Sequence, residues 1–177
     1  MYISNVRLQS WKNFAECDHN FRRRTFLVGP NASGKSNFLD ALRFVHDIAS
    51  SGGGLDSAVN TRGGVKKLRS LSARRKNEIE LHFELSDDDS GEPIWTYTLG
   101  FRQEPSGVRR TVVTKELVTN NGRTVLDRPN DPDRADRLRL TQTYLEQINA
   151  NTDFREISEY FASMSYVHLI PQIIRQP

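Results

Sequence analysis

The sequence has a single cysteine, Cys17, and it lacks any long apolar run. One thiol cannot close a disulfide within the chain, which is typical of proteins of the reducing cytoplasm. Without about 20 consecutive apolar residues, no segment is predicted to cross a membrane. The start of the chain also lacks the basic and apolar segments of a secretory signal. We therefore predict a cytoplasmic protein with no membrane partner, in which Cys17 packs as a small buried side chain.

Clusters of metal ligands are also absent from the sequence. The four histidines are scattered, and the acidic turn at residues 87–89 lacks the spacing of an EF-hand loop. With 177 residues, 36% of them hydrophobic and 27% charged, the chain is expected to be globular. The net charge of +3 is small, but basic residues cluster at positions 22–24, 66–69, 74–76, 109–110 and 134–139. Such clusters are compatible with DNA as a partner and equally with solvated loop ends.

The most specific motif is a glycine-rich loop that matches G-x-x-x-x-G-K-[ST]. It consists of Gly29, Pro30, Asn31, Ala32, Ser33, Gly34, Lys35 and Ser36. Before it, the apolar run of Phe26, Leu27 and Val28 predicts a strand over residues 24–28 that is buried on both faces. After it, apolar residues at three- and four-residue steps predict a helix over residues 36–49. They are Phe38, Leu39, Leu42, Val45 and Ile48.

This order of strand, loop and helix predicts a site for the phosphates of ATP or GTP. Glycines let consecutive backbone N–H groups point at phosphate oxygens, and the helix N-terminus adds its positive end. Lys35 is expected to reach the β- and γ-phosphates as a catalytic point charge. The hydroxyl of Ser36 is expected to bind the Mg²⁺ that bridges them.

The rest of the sequence predicts two strands before the loop and an antiparallel meander after it. The early strands are expected at residues 2–11 and 17–21, and residues 1–50 are assigned to the nucleotide-binding core. Residues 51–77 are polar and basic, and they predict a flexible loop with at most a short helix. Strict alternation over residues 78–127 predicts a four-stranded meander.

Helices are predicted to follow the meander. In the segment 128–164 we expect four inward-facing residues, Leu138, Tyr144, Leu145 and Ile148. Asp153 is expected to cap a second helix. Residues 165–177 are predicted to contain a strand that ends at Pro171.

The residues after the loop resemble a known family. Together with Gly29-Pro30-Asn31, the run Asn37-Phe38-Leu39-Asp40-Ala41 closely resembles the Walker A segment of SMC and RecF-type ATPases, a DNA-acting branch of the ABC superfamily. The resemblance implies an α/β fold, the first lobe of a P-loop NTPase head, with an antiparallel meander subdomain and a helical segment. It also implies ATP and Mg²⁺ as cofactors and a second lobe or head as partner. DNA and an associated nuclease are further partners that such heads can have, in repair, chromosome organisation, recombination or defence against phage.

The same resemblance implies further site residues. Trp11, Lys12, Asn13 and Phe14 look like the aromatic-basic-Asn-Phe turn that borders the nucleotide base, and Asn37 follows the loop serine as in the family. Arg62 is similar in position to an arginine that approaches nucleotide or DNA. Gln172 stands where the family's glutamine loop would contact Mg²⁺ and the attacking water, as a second catalytic residue. Ordinary loop or surface roles remain open for Lys12, Asn13, Phe14, Arg62 and Gln172.

Half of a complete head is missing from the sequence. No segment supplies the Leu-Ser-x-Gly signature, the Walker B strand ending in Asp-Glu, or a switch histidine. Because these groups position water and Mg²⁺ for phosphoryl transfer, we expect the chain alone to bind ATP and to hydrolyse it weakly or not at all. Three alternatives stay open: a non-catalytic module whose assembly ATP controls, a small GTPase with Asp88-Asp89-Ser90-Gly91 as its D-x-x-G motif, and a small-molecule kinase.

Overall fold

One six-stranded antiparallel sheet forms the centre of the protein. The structure is a computed structural model that describes residues 1–70, 77–88 and 92–167. The strands lie in the order β2-β1-β3-β4-β5-β6. They are β1 Tyr2–Trp11, β2 Phe14–Asn20, β3 Ile79–Ser86, β4 Trp95–Gln103, β5 Thr111–Asn120 and β6 Arg123–Arg128. The predicted α/β class with an antiparallel meander is confirmed. The sequence did not predict that β1 pairs with β3, so the meander and the first two strands share one sheet.

Alternating side chains give this sheet an apolar inner face. On β3, Ile79, Leu81, Phe83 and Leu85 are fully buried, as the sequence predicts, and their neighbours on the other face are half-exposed. Helices α1 (Lys35–Ala49) and α5 (Arg155–Ser163) cover the inner face. Phe44 of α1 stacks on Phe101 of β4 at 5.3 Å between ring centroids. The half-buried Cys17 packs against this core, and burial followed by the charge of Asp18 raises the pKa of its thiol.

Residues 51–77 contain more helix than the sequence predicts. Helix α2 covers Leu55–Thr61 and helix α3 covers Val65–Leu68. Leu55, Val59 and Leu68 are buried in the core, because these short helices pack beneath the end of β1. The predicted flexible loop is therefore wrong for residues 55–68. The sequence did not predict these helices, because the apolar residues of this segment are few and do not recur at a helical period.

The segment after the meander also differs from its prediction. It forms the short helix α4 (Asp131–Ala135) and two 3-10 helices, Arg137–Thr141 and Thr152–Phe154, before α5. Leu145 is buried as expected and Tyr144 packs partly against the core, but Leu138 and Ile148 are exposed. Asp153 lies within the second 3-10 helix and does not cap α5, which begins after Phe154. Tyr166 and Val167 are outside any strand, and the remaining predicted strand lies beyond the described residues.

The strand predicted before the P-loop is not formed. Residues 25–30 have no regular secondary structure, and Phe26 and Val28 are 88% and 91% exposed. A strand buried on both faces requires neighbouring strands and covering helices. Among the described residues, every strand already belongs to the antiparallel sheet and none pairs with residues 24–28. The described chain therefore leaves apolar side chains of this segment exposed to solvent.

A buried cluster of charges fixes the segment after β6 against the sheet. Arg128 is 1% exposed and lies 2.7 Å from Glu116 and 2.9 Å from Asp133. Glu116 also accepts hydrogen bonds from the hydroxyl of Tyr97 and the backbone N–H of Tyr144. Because each charge has several partners, the cluster satisfies the polar groups that folding buries. No pattern in the sequence predicts this arrangement.

No helix of the described chain is long and apolar enough to span a membrane.

Candidate nucleotide-binding site

The glycine-rich loop lies at the N-terminus of α1. Ala32 and Gly34 have positive φ angles of 65° and 99°, which turns successive N–H groups toward one side of the loop. Gly34 is the N-cap of α1, and no side chain caps this helix end. A helix of 15 residues thus presents free N–H groups and its positive end beside the loop. This arrangement suits an anionic ligand such as a phosphate chain.

Lys35 holds the loop in its curved form. Its ammonium group donates hydrogen bonds to the carbonyl oxygens of Gly29 and Pro30, each at 2.7 Å, and to the hydroxyl of Ser33 at 3.3 Å. The residue is half-exposed, so a phosphate can reach the same ammonium group. Lys35 therefore carries a positive charge directly inside the loop.

Ser36 is exposed at the start of α1. A hydroxyl in this place fits Mg²⁺, which prefers oxygen ligands and keeps several waters and phosphate oxygens. Among the described residues there is no cluster of three His, Cys, Asp or Glu side chains that could hold a metal by itself. Ser36 would be one ligand of a bound Mg²⁺, and phosphate oxygens would supply others.

The turn between β1 and β2 packs directly against the P-loop helix. Trp11 donates from its indole N–H to the carbonyl oxygen of Asn37 at 2.8 Å, and the Asn37 side chain donates to Asn13 at 2.8 Å. A Cβ atom on Gly34 would lie 2.6 Å from the Asn13 amide nitrogen and 2.9 Å from the Phe14 ring. The β1–β2 turn therefore holds the N-terminal residues of α1 in place, and it leaves no space for a side chain at Gly34.

Replacing Gly34 tests this close packing. Gly34→Ala is expected to weaken nucleotide binding at least tenfold, because a φ of 99° strains any other residue and the new methyl group displaces Asn13 and Phe14. Titration calorimetry with MgATP measures the affinity. Gly52→Ala is the matched control, since Gly52 has a φ of 74° and a methyl group there would meet no atom within 4 Å. Equal affinities for the two variants would contradict the packing argument.

An ion-pair network joins α1 to the turn and to α2. Asp40 lies 2.6 Å from the Lys12 ammonium and 3.1 Å from Nε of Arg62, and Arg62 also lies 2.9 Å from Asp47. Burial acts to raise the pKa of Asp40, but hydrogen bonds and charge from Arg62 and Lys12 outweigh it, so the pKa lies below its usual value. The Arg62 side chain is only 8% exposed. Arg62 thus links two elements of the fold.

The structure brings most of the expected site residues together. The start of α1 is surrounded by the glycine-rich loop and by four further residues, Lys12, Asn13, Phe14 and Asn37. Arg62 lines the same groove as Lys12 but is committed to Asp40 and Asp47. Gln172 lies outside the described residues. The roles of all these residues in nucleotide binding stay predictions.

One supporting residue was missed from sequence. Asp47 of α1 pairs with Arg62 without belonging to a recognised motif. Trp11 belongs to the predicted turn, but its position depends on a contact that was not predicted. The end of β1 pairs with the residues that follow α3, where the N–H of Ser70 donates to the carbonyl oxygen of Ser10 at 2.8 Å. Sequence spacing cannot reveal such a contact.

Comparison with known proteins gives a family match over most of the chain. A family model described as "AAA domain, putative AbiEii toxin, Type IV TA system" matches residues 24–161. The DNA replication and repair protein RecF of Lactobacillus johnsonii is 30% identical over 101 residues, which are 56% of this chain and 26% of that protein. RecF of Gloeothece citriformis is 41% identical over 51 residues, 28% of this chain and 13% of that protein. The chain thus spans about a quarter or less of these relatives.

Two solved structures are more distantly similar. A RecF-ATP structure has 18% identity and a TM-score of 0.43, and the match covers 70% of this chain and 28% of that one. A structure of an SMC ATPase has 21% identity and a TM-score of 0.48, with 100% and 93% covered. Neither TM-score reaches 0.5, so the assignment depends on the family model, with the RecF matches in agreement. The chain therefore belongs to this AAA-domain family, and the predicted resemblance to SMC and RecF-type ATPases is confirmed.

Proposed function

We propose that this chain is the ATP-binding lobe of a larger ATPase that acts on DNA. The observation that supports the proposal most strongly is the curved loop over Lys35, with free N–H groups at the start of a 15-residue helix. Such a loop binds a phosphate chain through its amides and its lysine. Ser36 would be a ligand of Mg²⁺, whose charge helps neutralise the phosphates.

The exposed apolar residues before the loop support completion by a second lobe. Phe26 and Val28 have the composition of an interior strand but face solvent in the described chain. Neighbouring strands from a second lobe would bury them and would bring an acidic Walker B end close to Ser36. A signature helix from another head would cover the γ-phosphate. We infer that hydrolysis requires both additions, because positioning and charge stabilisation supply most of the catalysis in phosphoryl transfer.

The setting of this activity follows from the same proposal. RecF proteins are named for DNA replication and repair, and we extend DNA as a partner to this chain on the basis of that similarity. A cytoplasmic location is consistent with the single thiol. An associated nuclease and a role in phage defence remain expectations of the resemblance.

Steady-state ATPase assays test the need for completion. We expect the purified chain to hydrolyse ATP slowly, and we expect at least a tenfold increase when the polypeptide that carries the signature and Walker B motifs is added. The physical reason is that this polypeptide provides the missing carboxylates and the second face of the nucleotide site. Rapid hydrolysis by the chain alone, lost in Lys35→Ala, would refute the proposal. Nucleotide binding with ATP-dependent association but no hydrolysis in the mixture would favour the non-catalytic alternative.

A further inference from the structure

Glu146 contacts the N-terminus of helix α2 from a distant part of the chain. It lies in the segment between the two 3-10 helices, and its Oε2 atom accepts a hydrogen bond from the backbone N–H of Leu55 at 2.9 Å. Leu55 is the first residue of α2, and the N-cap of this helix is Gly54, which has no side chain to satisfy the free N–H groups. Glu146 therefore supplies the acceptor that a capping side chain normally provides.

The backbone at Gly54 allows the close approach of this carboxylate. Gly54 has a φ of 123°, and a Cβ atom at this position would lie 3.0 Å from Oε1 of Glu146. Both the backbone angle and the lack of space exclude an ordinary side chain here. The carboxyl group of Glu146 is thus in direct contact with the chain that enters α2.

The carboxylate of Glu146 is held in place by its own segment. The buried Thr143 donates to Oε2 from its hydroxyl at 2.9 Å and from its backbone N–H at 3.3 Å. The backbone N–H groups of Tyr144 and Leu145 donate to Glu116 of the buried charge cluster. Because these bonds fix the backbone beside Glu146, its side chain is preorganised to bond α2.

The other end of α2 carries Arg62, which lies along one face of α1. Its guanidinium lies 3.1 Å from Asp40 and 2.9 Å from Asp47. It also lies over the Phe44 ring, 5.2 Å from the centroid. Asp40, Phe44 and Asp47 are spaced by four and three residues, so they share one face of α1. The first of them lies one turn after Ser36, close to the P-loop.

We propose that Glu146 is a positioning residue of the nucleotide site, which holds the N-terminus of α2 so that Arg62 at the other end keeps its contacts with α1. This inference rests on the proposed ATP-binding function. Loss of the bond to Leu55 leaves a backbone N–H of α2 without its acceptor and allows the helix to shift. Asp40 is then held less firmly, and so are the loop N–H groups that point at the phosphates. Lys12 still pairs with Asp40, so the loss is partial.

Two conservative variants separate the length of Glu146 from its charge. Burial raises the pKa of the Glu146 carboxyl, so the site disfavours the negative charge, whereas the bond to Leu55 requires only an oxygen. Glu146→Gln keeps the length and an acceptor oxygen, and it is expected to bind MgATP within about twofold of the wild type. Glu146→Asp keeps the charge but is one methylene shorter, and it is expected to bind about fivefold more weakly, an effect of the size that a lost helix cap allows. The opposite ranking of these variants would overturn the proposal.

Titration calorimetry of the completed protein gives these affinities, and a double-mutant cycle with Arg62 tests the route. In Arg62→Met, α2 no longer pairs with the carboxylates of α1, so the addition of Glu146→Asp is expected to have no further effect on MgATP affinity. A general loss of stability would instead add to the effect of Arg62→Met. Equal effects of Glu146→Asp with and without Arg62 would refute the proposal. Circular dichroism and urea denaturation verify that each variant is folded.

Glu156 provides the matched control. It also accepts a hydrogen bond from a distant residue, Trp95 at 3.3 Å, but it lies on α5 and bonds β4 rather than α2. Glu156→Asp is expected to leave the MgATP affinity within about twofold of the wild type. Equal losses in Glu146→Asp and Glu156→Asp would contradict the inference. If the wild type binds no MgATP, the proposed function and the inference fail together. If it binds MgATP and Glu146→Asp leaves the affinity unchanged, the inference alone fails.

Discussion

Lys35→Ala is expected to lower the ATPase rate of the completed head by about 10²- to 10³-fold, the size of loss typical when one preorganised charge at a reacting group is removed. The ammonium group of Lys35 lies inside the loop, bonded to Gly29 and Pro30. Its removal takes away the positive charge that would face the phosphates and also the contacts that keep the loop curved. We therefore expect both weaker MgATP binding and slower hydrolysis.

A matched surface lysine provides the control for Lys35. Lys115 pairs with Glu80 at 3.3 Å on the polar face of the sheet, away from the loop. Lys115→Ala is expected to leave the ATPase rate within about twofold of the wild type, since an exposed pair contributes little. Steady-state assays of the completed protein, with circular dichroism to verify folding, give the comparison. Similar rates for Lys35→Ala and the wild type would show that the loop does not act on nucleotide.

Arg128→Met is expected to lower the free energy of unfolding by about 3–5 kcal/mol. Arg128 neutralises Glu116 and Asp133, and its guanidinium lies over the Tyr144 ring at 3.9 Å. Methionine fills some of the volume but leaves Glu116 buried without a cation, and it leaves Asp133 with only Arg139, at 3.6 Å. The backbone N–H groups of Tyr144 and Leu145 donate hydrogen bonds to Glu116. The segment that follows β6 should therefore pack less tightly against the sheet as well. Urea denaturation measures the change.

The control for Arg128 is an exposed arginine close to it in sequence. Arg134 pairs with Asp131 at the surface, so Arg134→Met is expected to change the unfolding free energy by less than about 1 kcal/mol. The double variant Glu116→Gln/Arg128→Met should recover part of the loss, because the unpaired buried charge of Glu116 is gone. A loss in Arg128→Met no larger than in Arg134→Met would contradict the assigned role of the cluster.

The sequence predicted the elements whose patterns are local. Alternation identified β3 and β4, and the three- and four-residue spacing identified α1, because burial on one face imposes these periods. The P-loop could also be predicted from local sequence, since its conformation depends on its own glycines and on the helix that follows it. Family membership followed from the residues around it and is confirmed by the family model.

Other features depend on partners far along the chain. Three such features connect segments that are distant in sequence: the pairing of β1 with β3, the buried cluster around Arg128, and the ion pairs of Arg62. A periodic pattern within one segment does not show which other segment it contacts. The prediction for residues 24–28 was wrong for a different reason. Their apolar pattern is that of an interior strand, but the described chain contains no strand to pair with them.

Acidic neighbours distinguish basic clusters that look alike in the sequence. Lys66, Arg69 and Arg109 line one surface groove, whereas Arg134 and Arg139 lie close to Asp131 and Asp133. Charge alone predicted no difference between these clusters. The carboxylates close to each cluster in space decide which of them remains free to bind a polyanion.

Titration calorimetry of the protein with ATP, in the presence and absence of Mg²⁺, tests the central claim most directly. We predict magnesium-dependent binding of about one ATP for each P-loop, with Lys35→Ala at least tenfold weaker. Adenine should be accepted at least as well as guanine. Folded protein that takes up no adenine nucleotide, even after the second lobe is supplied, would contradict the assignment of residues 29–36 as a nucleotide site.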